Sequence, residues 1–220
     1  MVHEARKPRF SWITDGVCPA DSSAWDFEIV GTPNFVVTPS MGSLVAGWLL
    51  AVPRKSLINL GMLNDHDRDE LTALINRVAE SLSAFGGEVF CFEHGADHSG
   101  SLTGCGVDQA HLHMVPLGFD LVSAVQDAAD EQIKWEPFVR SANPLTLLPK
   151  KGEYVAIWRA SDGRGLIGAV RHPVSQWVRR VIAQNLGIEG EWNYQTHPQR
   201  QIVNQTLAML SATTSAPALT

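Results

Sequence analysis

Cysteine is scarce in this chain, and Cys18, Cys91 and Cys105 form no CxxC pair. An odd, widely spaced set supports neither a disulfide framework nor a zinc knuckle, and it fits a reduced, cytoplasmic setting. Long apolar runs are missing too. The longest, Leu44 to Pro53, is about half of what a membrane-spanning helix requires, so no membrane association is expected. Basic residues near the N-terminus have no apolar stretch behind them, so no signal peptide is read there. Charge is modest and unevenly spread: residues 1–120 hold 7 Lys+Arg against 15 Asp+Glu, and residues 121–220 hold 10 against 8. An acidic first half and a net charge of -6 argue against broad electrostatic binding of nucleic acid. A small anionic ligand held by local donors is not excluded by that balance. No internal repeat or low-complexity tract occurs.

What the chain does have is a clear hydrophobic rhythm. Its 220 residues, 45% of them apolar, suffice for one large domain or a core domain with an extension. Residues 1–24 read as irregular. Asp26 to Val30 and Phe35 to Thr38 read as short strands around the turn Gly31-Thr32-Pro33-Asn34, and Gly47 to Val52 as a buried strand. Asn64 or Asp65 can cap a helix whose Leu71, Leu74, Ile75, Val78, Leu82 and Phe85 recur at helical spacing, with Gly86-Gly87 as its stop. Glu88 to Glu93 is a further strand, followed by a glycine-rich loop to Asp108 and a histidine-bearing strand to Leu117. Long parallel crossovers are missing, which favours an α+β layout, a mainly antiparallel sheet with helices packed on one face. Residues 121–150, with Pro137, Pro144 and Pro149, read as a bridge to a second unit. There Tyr154 to Arg159 forms a strand, Ser175 caps a helix through Leu186, and Pro198 opens a last helix that frays after Leu210.

The stretch Gln109-Ala110-His111-Leu112-His113-Met114-Val115-Pro116 carries the chemistry. Residues two apart on a strand share a face, so His111 and His113 present paired imidazoles. One imidazole beside a phosphate can attack phosphorus while its neighbour protonates the leaving oxygen. Gly104, Gly106 and the backbone N–H groups between them could approach such a phosphate. A rival reading is a metal-dependent hydrolase built on His94, His98, His111 and His113, with Glu93 and Asp97 as nearby carboxylates.

These residues resemble the histidine-triad (HIT) signature, His-x-His-x-His followed by apolar residues. Phe92-Glu93-His94-Gly95 and Gly104-Cys105-Gly106-Val107-Asp108 resemble the loop before the triad in a bacterial branch. Phe35-Val36-Val37-Thr38-Pro39-Ser40 and Gly47-Trp48-Leu49-Leu50-Ala51-Val52-Pro53 resemble that family's first nucleotide-pocket strands, so that the match spans about residues 25–118. The resemblance implies a HIT-like catalytic domain over 25–120, after an N-terminal segment 1–24 and before a C-terminal α/β extension over 121–220. It implies a nucleotidyl hydrolase or transferase acting at the α-phosphate of a nucleotide or dinucleotide. His111 would attack to form a nucleotidyl-histidine, His113 would assist the leaving group, and Gln109 would support His111. Ser40, His94, Gly104, Cys105, Gly106 and Val107 would contact substrate. No cofactor and no resident metal are implied, and a homodimer is.

Three departures stand out. Gln109 replaces the first histidine, whose support of the nucleophile runs partly through a backbone carbonyl that any residue has. The uridylyltransferase branch carries its glutamine at the last position instead. Cys105 stands where many members have a phosphate-contacting glutamine, and Arg54-Lys55-Ser56 lacks a histidine common there. Together they define an alternative, a nucleotide-binding protein with weakened catalysis. In the extension, Tyr154-Val155-Ala156-Ile157, Gln176 to Ile182 and Glu191-Trp192-Asn193-Tyr194 resemble segments of longer HIT proteins. Arg171, His172, Arg179 and Arg180 there could help hold phosphate, although Arg179 and Arg180 read first as the solvated face of a helix whose other side is core.

Overall fold

The computed structural model describes residues 9–16, 23–128, 133–138 and 143–215; Cys18 lies outside them. One eight-stranded sheet organises these residues. Its strands in chain order are β1 (Val30–Gly31), β2 (Phe35–Pro39), β3 (Leu49–Pro53), β4 (Glu88–Gly95), β5 (Leu112–Leu117), β6 (Ile133–Phe138), β7 (Tyr154–Arg159) and β8 (Gly165–Val170). Across the sheet they run β1-β2-β3-β5-β4-β7-β8-β6, with every pairing antiparallel. The helices are α1 (Ser11–Thr14), α2 (Asp65–Leu82), α3 (Leu121–Asp127), α4 (Trp177–Asn185) and α5 (Arg200–Ser215). This is the α+β layout expected from the sequence.

The period-2 alternation of the central strands splits the core in two. Cys91, Leu112, Met114, Tyr154, Ala156 and Trp158 face α2, which contributes Leu71, Leu74, Ile75, Val78 and Leu82. Burying each such leucine or isoleucine contributes about 1.5–3 kcal/mol, which is what docks α2. Asn64 is the cap of α2, its side chain accepting the Asp67 N–H at 2.9 Å. At the far end Gly87 sits at φ 78°, and a Cβ there would lie 2.2 Å from the Leu117 carbonyl oxygen, so only glycine fits.

Helices cover the second face as well, where the sequence had suggested one covered face. Phe90, Phe92, Val115, Leu117, Val155 and Ile157 pack there against Leu121 and Val125 of α3 and Val178, Val181 and Ile182 of α4. The second covering comes from residues 121–220, whose strands prolong the same sheet: β7 pairs β4 from Phe90↔Arg159 to Gly95↔Tyr154. No break in the sheet marks residue 120. Strands β6 and β8 escaped the sequence reading because Pro137 interrupts one and Gly165 and Gly168 the other. An edge strand tolerates proline, and β6 pairs only β8. Helix α5 continues to Ser215 where fraying was expected after Leu210; its Thr206 hydroxyl accepts the Gly47 N–H at 2.9 Å.

Candidate active site

His111 precedes β5 on the face shared with Phe92 and His94. Its Nδ1 lies 2.8 Å from the Gln109 carbonyl oxygen. A carbonyl only accepts, so Nδ1 carries the proton and Nε2 keeps its lone pair. That is the tautomer of a nucleophile. The ring of Phe10 covers His111 from the other side, centroids 5.4 Å apart. Burial, reinforced by the charge of Arg9, lowers the pKa of His111 to about 4 against the partial resistance of the Gln109 carbonyl. A nucleophilic role would require the neutral ring, and in that case kcat/KM is expected to hold from pH 8 down to 5, with its acid limb near 4 and not near 6.5. Stability should respond in the same direction. The unfolded chain takes up this proton near pH 6.5, so the contribution of neutral His111 is complete above that pH and is lost as pH falls toward 4. Urea unfolding at pH 7.5 and 5 checks it: a midpoint that is unchanged or higher at pH 5 contradicts the buried neutral ring.

His113 is held differently. The Trp48 indole N–H donates to its Nδ1 at 3.0 Å, and its ring stacks on Phe92 at 4.2 Å with planes 5° apart. Indole is a donor only, so Nδ1 must stay unprotonated and Nε2 bears the hydrogen. An imidazolium would place two N–H groups head to head. Burial first, then the charges of His111, His94 and Arg179, hold His113 well below its ordinary pKa. His113 therefore offers an N–H hydrogen bond and is poorly suited to giving up a whole proton.

His94, on β4, closes the trio, its ring centroid 6.3 Å from that of His113. Its Nε2 accepts the Val178 N–H at 3.3 Å and so caps α4, the role expected of Ser175. The proton then lies on Nδ1, which is buried and has no partner among the described residues. Burial lowers the pKa of His94 to about 3. Beside it, Cys105 (φ 58°) and Gln176 (φ 59°) both hold left-handed backbones, and the Gln176 N–H points to Cys105 Sγ at 3.1 Å. Two such residues in contact mark locally stored strain of about 1–3 kcal/mol each, of the kind that collects at functional sites. Burial pushes the Cys105 thiol up to about 11, so it is no thiolate nucleophile at neutral pH.

The Gln109 side chain points away from His111. Its Nε2 donates to the carbonyls of Pro53 and Lys55, both at 3.0 Å, and its Oε1 accepts the Leu57 N–H at 3.4 Å. It staples the segment after β3, while only its carbonyl serves His111. Gln109→Ala is therefore expected to cost about 1–3 kcal/mol of stability by orphaning buried backbone groups, with the Nδ1 support of His111 intact. Chemical denaturation and the acid limb of activity check this together. Because an acceptor at Nδ1 raises the His111 pKa, a further fall of that limb below 4 would show the side chain to be the support.

Two arginines flank the trio. Arg179 of α4 is 3% exposed, not on a solvated face. Its guanidinium lies 4.8 Å from the centroid of Trp48, donates to Trp192 O at 2.9 Å and to Gly42 O, and has no carboxylate partner among the described residues. Burial lowers its pKa to about 10, which leaves it charged at neutral pH. Arg180 is the exposed one, stacked on Trp192 at 3.5 Å. Arg9 stands on the His111 side. Arg9, Arg179 and the three histidines, with Ser40, Met41, Leu50, Val107 and Tyr194, line a cleft that no carboxylate enters among the described residues. The cleft is cationic and part apolar, which suits an anion bearing an apolar ring.

Of the residues singled out from sequence, His111, His113, His94, Ser40, Cys105 and Val107 line this cleft, and Gly104, Gly106 and the Gln109 side chain do not. The backbone cradle is partly spent, since the N–H groups of Cys105 and Val107 close turns onto Leu102 O and Gly104 O. Of the four-histidine metal set, His94, His111 and His113 share the cleft without gathering their ring nitrogens into a close ligand cluster among the described residues, and His98 lies apart. His98 is exposed and bonded to Ser99 O, Asp97 accepts the Gly152 N–H, and Glu93 faces the opposite core, where Leu60 N–H and Tyr154 OH reach it and burial raises its pKa to about 7. Among the described residues the metal-ligand atoms that gather closely are those of His66, Asp67 and Glu70, on the surface of α2. Trp48, Phe92, Arg9, Phe10 and Tyr194 were not legible as site residues: each is an ordinary packing or ion-pairing residue until the fold brings it to the histidines.

No protein-family model and no curated protein matches this chain. Among solved structures, a Hit-like protein involved in cell-cycle regulation from Bartonella henselae aligns at 14% identity and a TM-score of 0.41, over 50% of this chain and 79% of its own. A uridylyltransferase aligns at 10% identity and a TM-score of 0.44, over 90% of this chain and 94% of its own.

Proposed function

We propose that the protein cleaves or transfers a nucleoside monophosphate by way of a covalent nucleotidyl-His111 intermediate. The observation that carries this reading is the pair of opposite, fixed tautomers: His111 with a lone pair on Nε2, His113 with a hydrogen on Nε2, side by side in a cleft with two cations. In the first step the His111 Nε2 lone pair forms the N–P bond and the leaving oxygen departs with the P–O electron pair. The imidazolium of the adduct keeps its Nδ1–H on the Gln109 carbonyl, which stabilises the positive charge. In the second step water, or another acceptor, attacks phosphorus, the N–P pair returns to Nε2, and the proton of the attacking hydroxyl passes to solvent.

The neutral state of His113 selects the leaving group. An amine must be protonated to depart, and a phosphate leaves as a stable anion. A phosphoanhydride, as in a dinucleoside polyphosphate, therefore suits this site better than a phosphoramidate. A homodimer would have to form through β1, β6 or a helical face, because β4 and β5 are both paired on each side within the chain.

A parallel screen of nucleoside phosphoanhydrides and phosphoramidates at neutral pH tests the reading. Turnover is expected, faster for the anhydrides. Tight nucleotide binding with turnover of neither class would instead support the weakened nucleotide-binding alternative that Cys105 and Gln109 suggest.

A further inference from the structure

The N-terminal residues before the sheet belong to the site. Phe10 and Ile13, at and within α1, pack on Val36, Leu50 and Val52 and so fix the preceding residue, Arg9, at the mouth of the histidine cleft. Arg9 Nη1 pairs with Asp26 Oδ1 at 2.6 Å. Its Nη2 is buried and bonded to nothing among the described residues. The guanidinium carbon lies 4.9 Å from the centroid of Phe10, the ring that covers His111, and its charge reaches His111. A guanidinium has five donors in a planar fork, and leaving a charged arm dry and unpaired is costly unless a ligand completes it.

We infer that Arg9 is an anion-binding residue of this site: one arm of its fork is anchored by Asp26, and the other binds the oxygens of the phosphate that His111 meets. The inference rests on the reading of His111 as the group that faces phosphate. It adds a residue from a segment outside the histidine-bearing half of the sheet, and it divides the work between two cations. Arg179 acts on the side of His113 and His94, and Arg9 on the side of His111.

The test is binding of inorganic pyrophosphate, measured by calorimetry on the full chain. Asp26→Asn removes the counter-charge of Arg9 and is expected to bind pyrophosphate as tightly as wild type or more so. Arg9→Gln combined with Asp26→Asn removes both charges, so that no buried carboxylate is left alone, and is expected to bind about tenfold more weakly or worse. A purely structural role for the pair would weaken binding in both variants alike, and that result overturns the inference. So does wild-type affinity in the double variant, or no binding of pyrophosphate by wild type at millimolar concentration. Should the double variant not fold, Arg9→Lys decides: it keeps the Asp26 pair and loses the fork, so its affinity should fall below wild type, and undiminished affinity overturns the inference. Pyrophosphate binding needs no chemistry. Arg9-dependent binding in a protein that forms no nucleotide adduct would contradict the nucleotidyl reading and leave the anion site standing.

Discussion

His111→Asn is expected to lower turnover of any nucleotide conjugate by about 10⁴-fold or more, the size of loss typical when a covalent nucleophile is removed. Asparagine is the fitting probe because its amide N–H can still donate to the Gln109 carbonyl. What disappears is the Nε2 lone pair. Binding of the nucleotide product should survive, since Arg179 and Arg9 are the cations proposed to hold phosphate. Steady-state kinetics and product titration on one preparation separate the two effects. Loss of binding along with turnover would mean that the variant has lost the cleft and not only its nucleophile. Turnover within tenfold of wild type would remove His111 from the chemistry.

Arg179→Gln should produce the second largest effect, a fall of about 10²–10³ in kcat/KM, comparable to removing one strong donor from a preorganised anion site. The effect is electrostatic. A buried cation without a carboxylate has already lost its water, so a substrate anion meets it at low cost and in a low-dielectric setting where the attraction is large. Glutamine can still donate to one of the carbonyls of Trp192 and Gly42, which limits the structural damage. Arg179→Lys should recover little of the loss, because a single ammonium cannot bond two carbonyls, stack on Trp48 and face an anion at once. The loss should be greater for phosphoanhydrides than for a phosphoramidate with a neutral leaving group. Equal losses for both would place Arg179 in structural support only.

Sequence reading reached the parts of this site that local pattern encodes. The two-residue spacing of His111 and His113 gave their common face, and the helical recurrence from Leu71 to Leu82 gave α2 with Asn64 or Asp65 as its cap, of which the structure uses Asn64. What it missed depends on partners far away in the chain. Nothing near Arg179 signals that its helix lies under β4, capped by His94, so the i, i+1 pair Arg179-Arg180 reads as surface when only Arg180 is exposed. Trp48 looks like one more apolar residue of a buried strand; only the pairing Leu50↔His113 brings its indole N–H to the His113 ring. Gln109 attracted attention as a replaced histidine, yet its function at His111 runs through a backbone atom that side-chain identity does not change. Its amide instead staples Pro53, Lys55 and Leu57. Strands β8 and β6 stayed hidden because glycine and proline weaken their strand propensity, while pairing, and for β6 its edge position, makes up for it.

The most direct measurement is mapping of the covalent intermediate. A nucleotide donor labelled at the α-phosphate is mixed with enzyme and quenched in alkali, where a phosphorus–nitrogen bond at histidine survives, and the digest is read by mass spectrometry. The account predicts the nucleotidyl group on the peptide carrying His111, lost on acid treatment and absent from His111→Asn. Rapid turnover with no adduct at His111, or an adduct on Cys105, would contradict it.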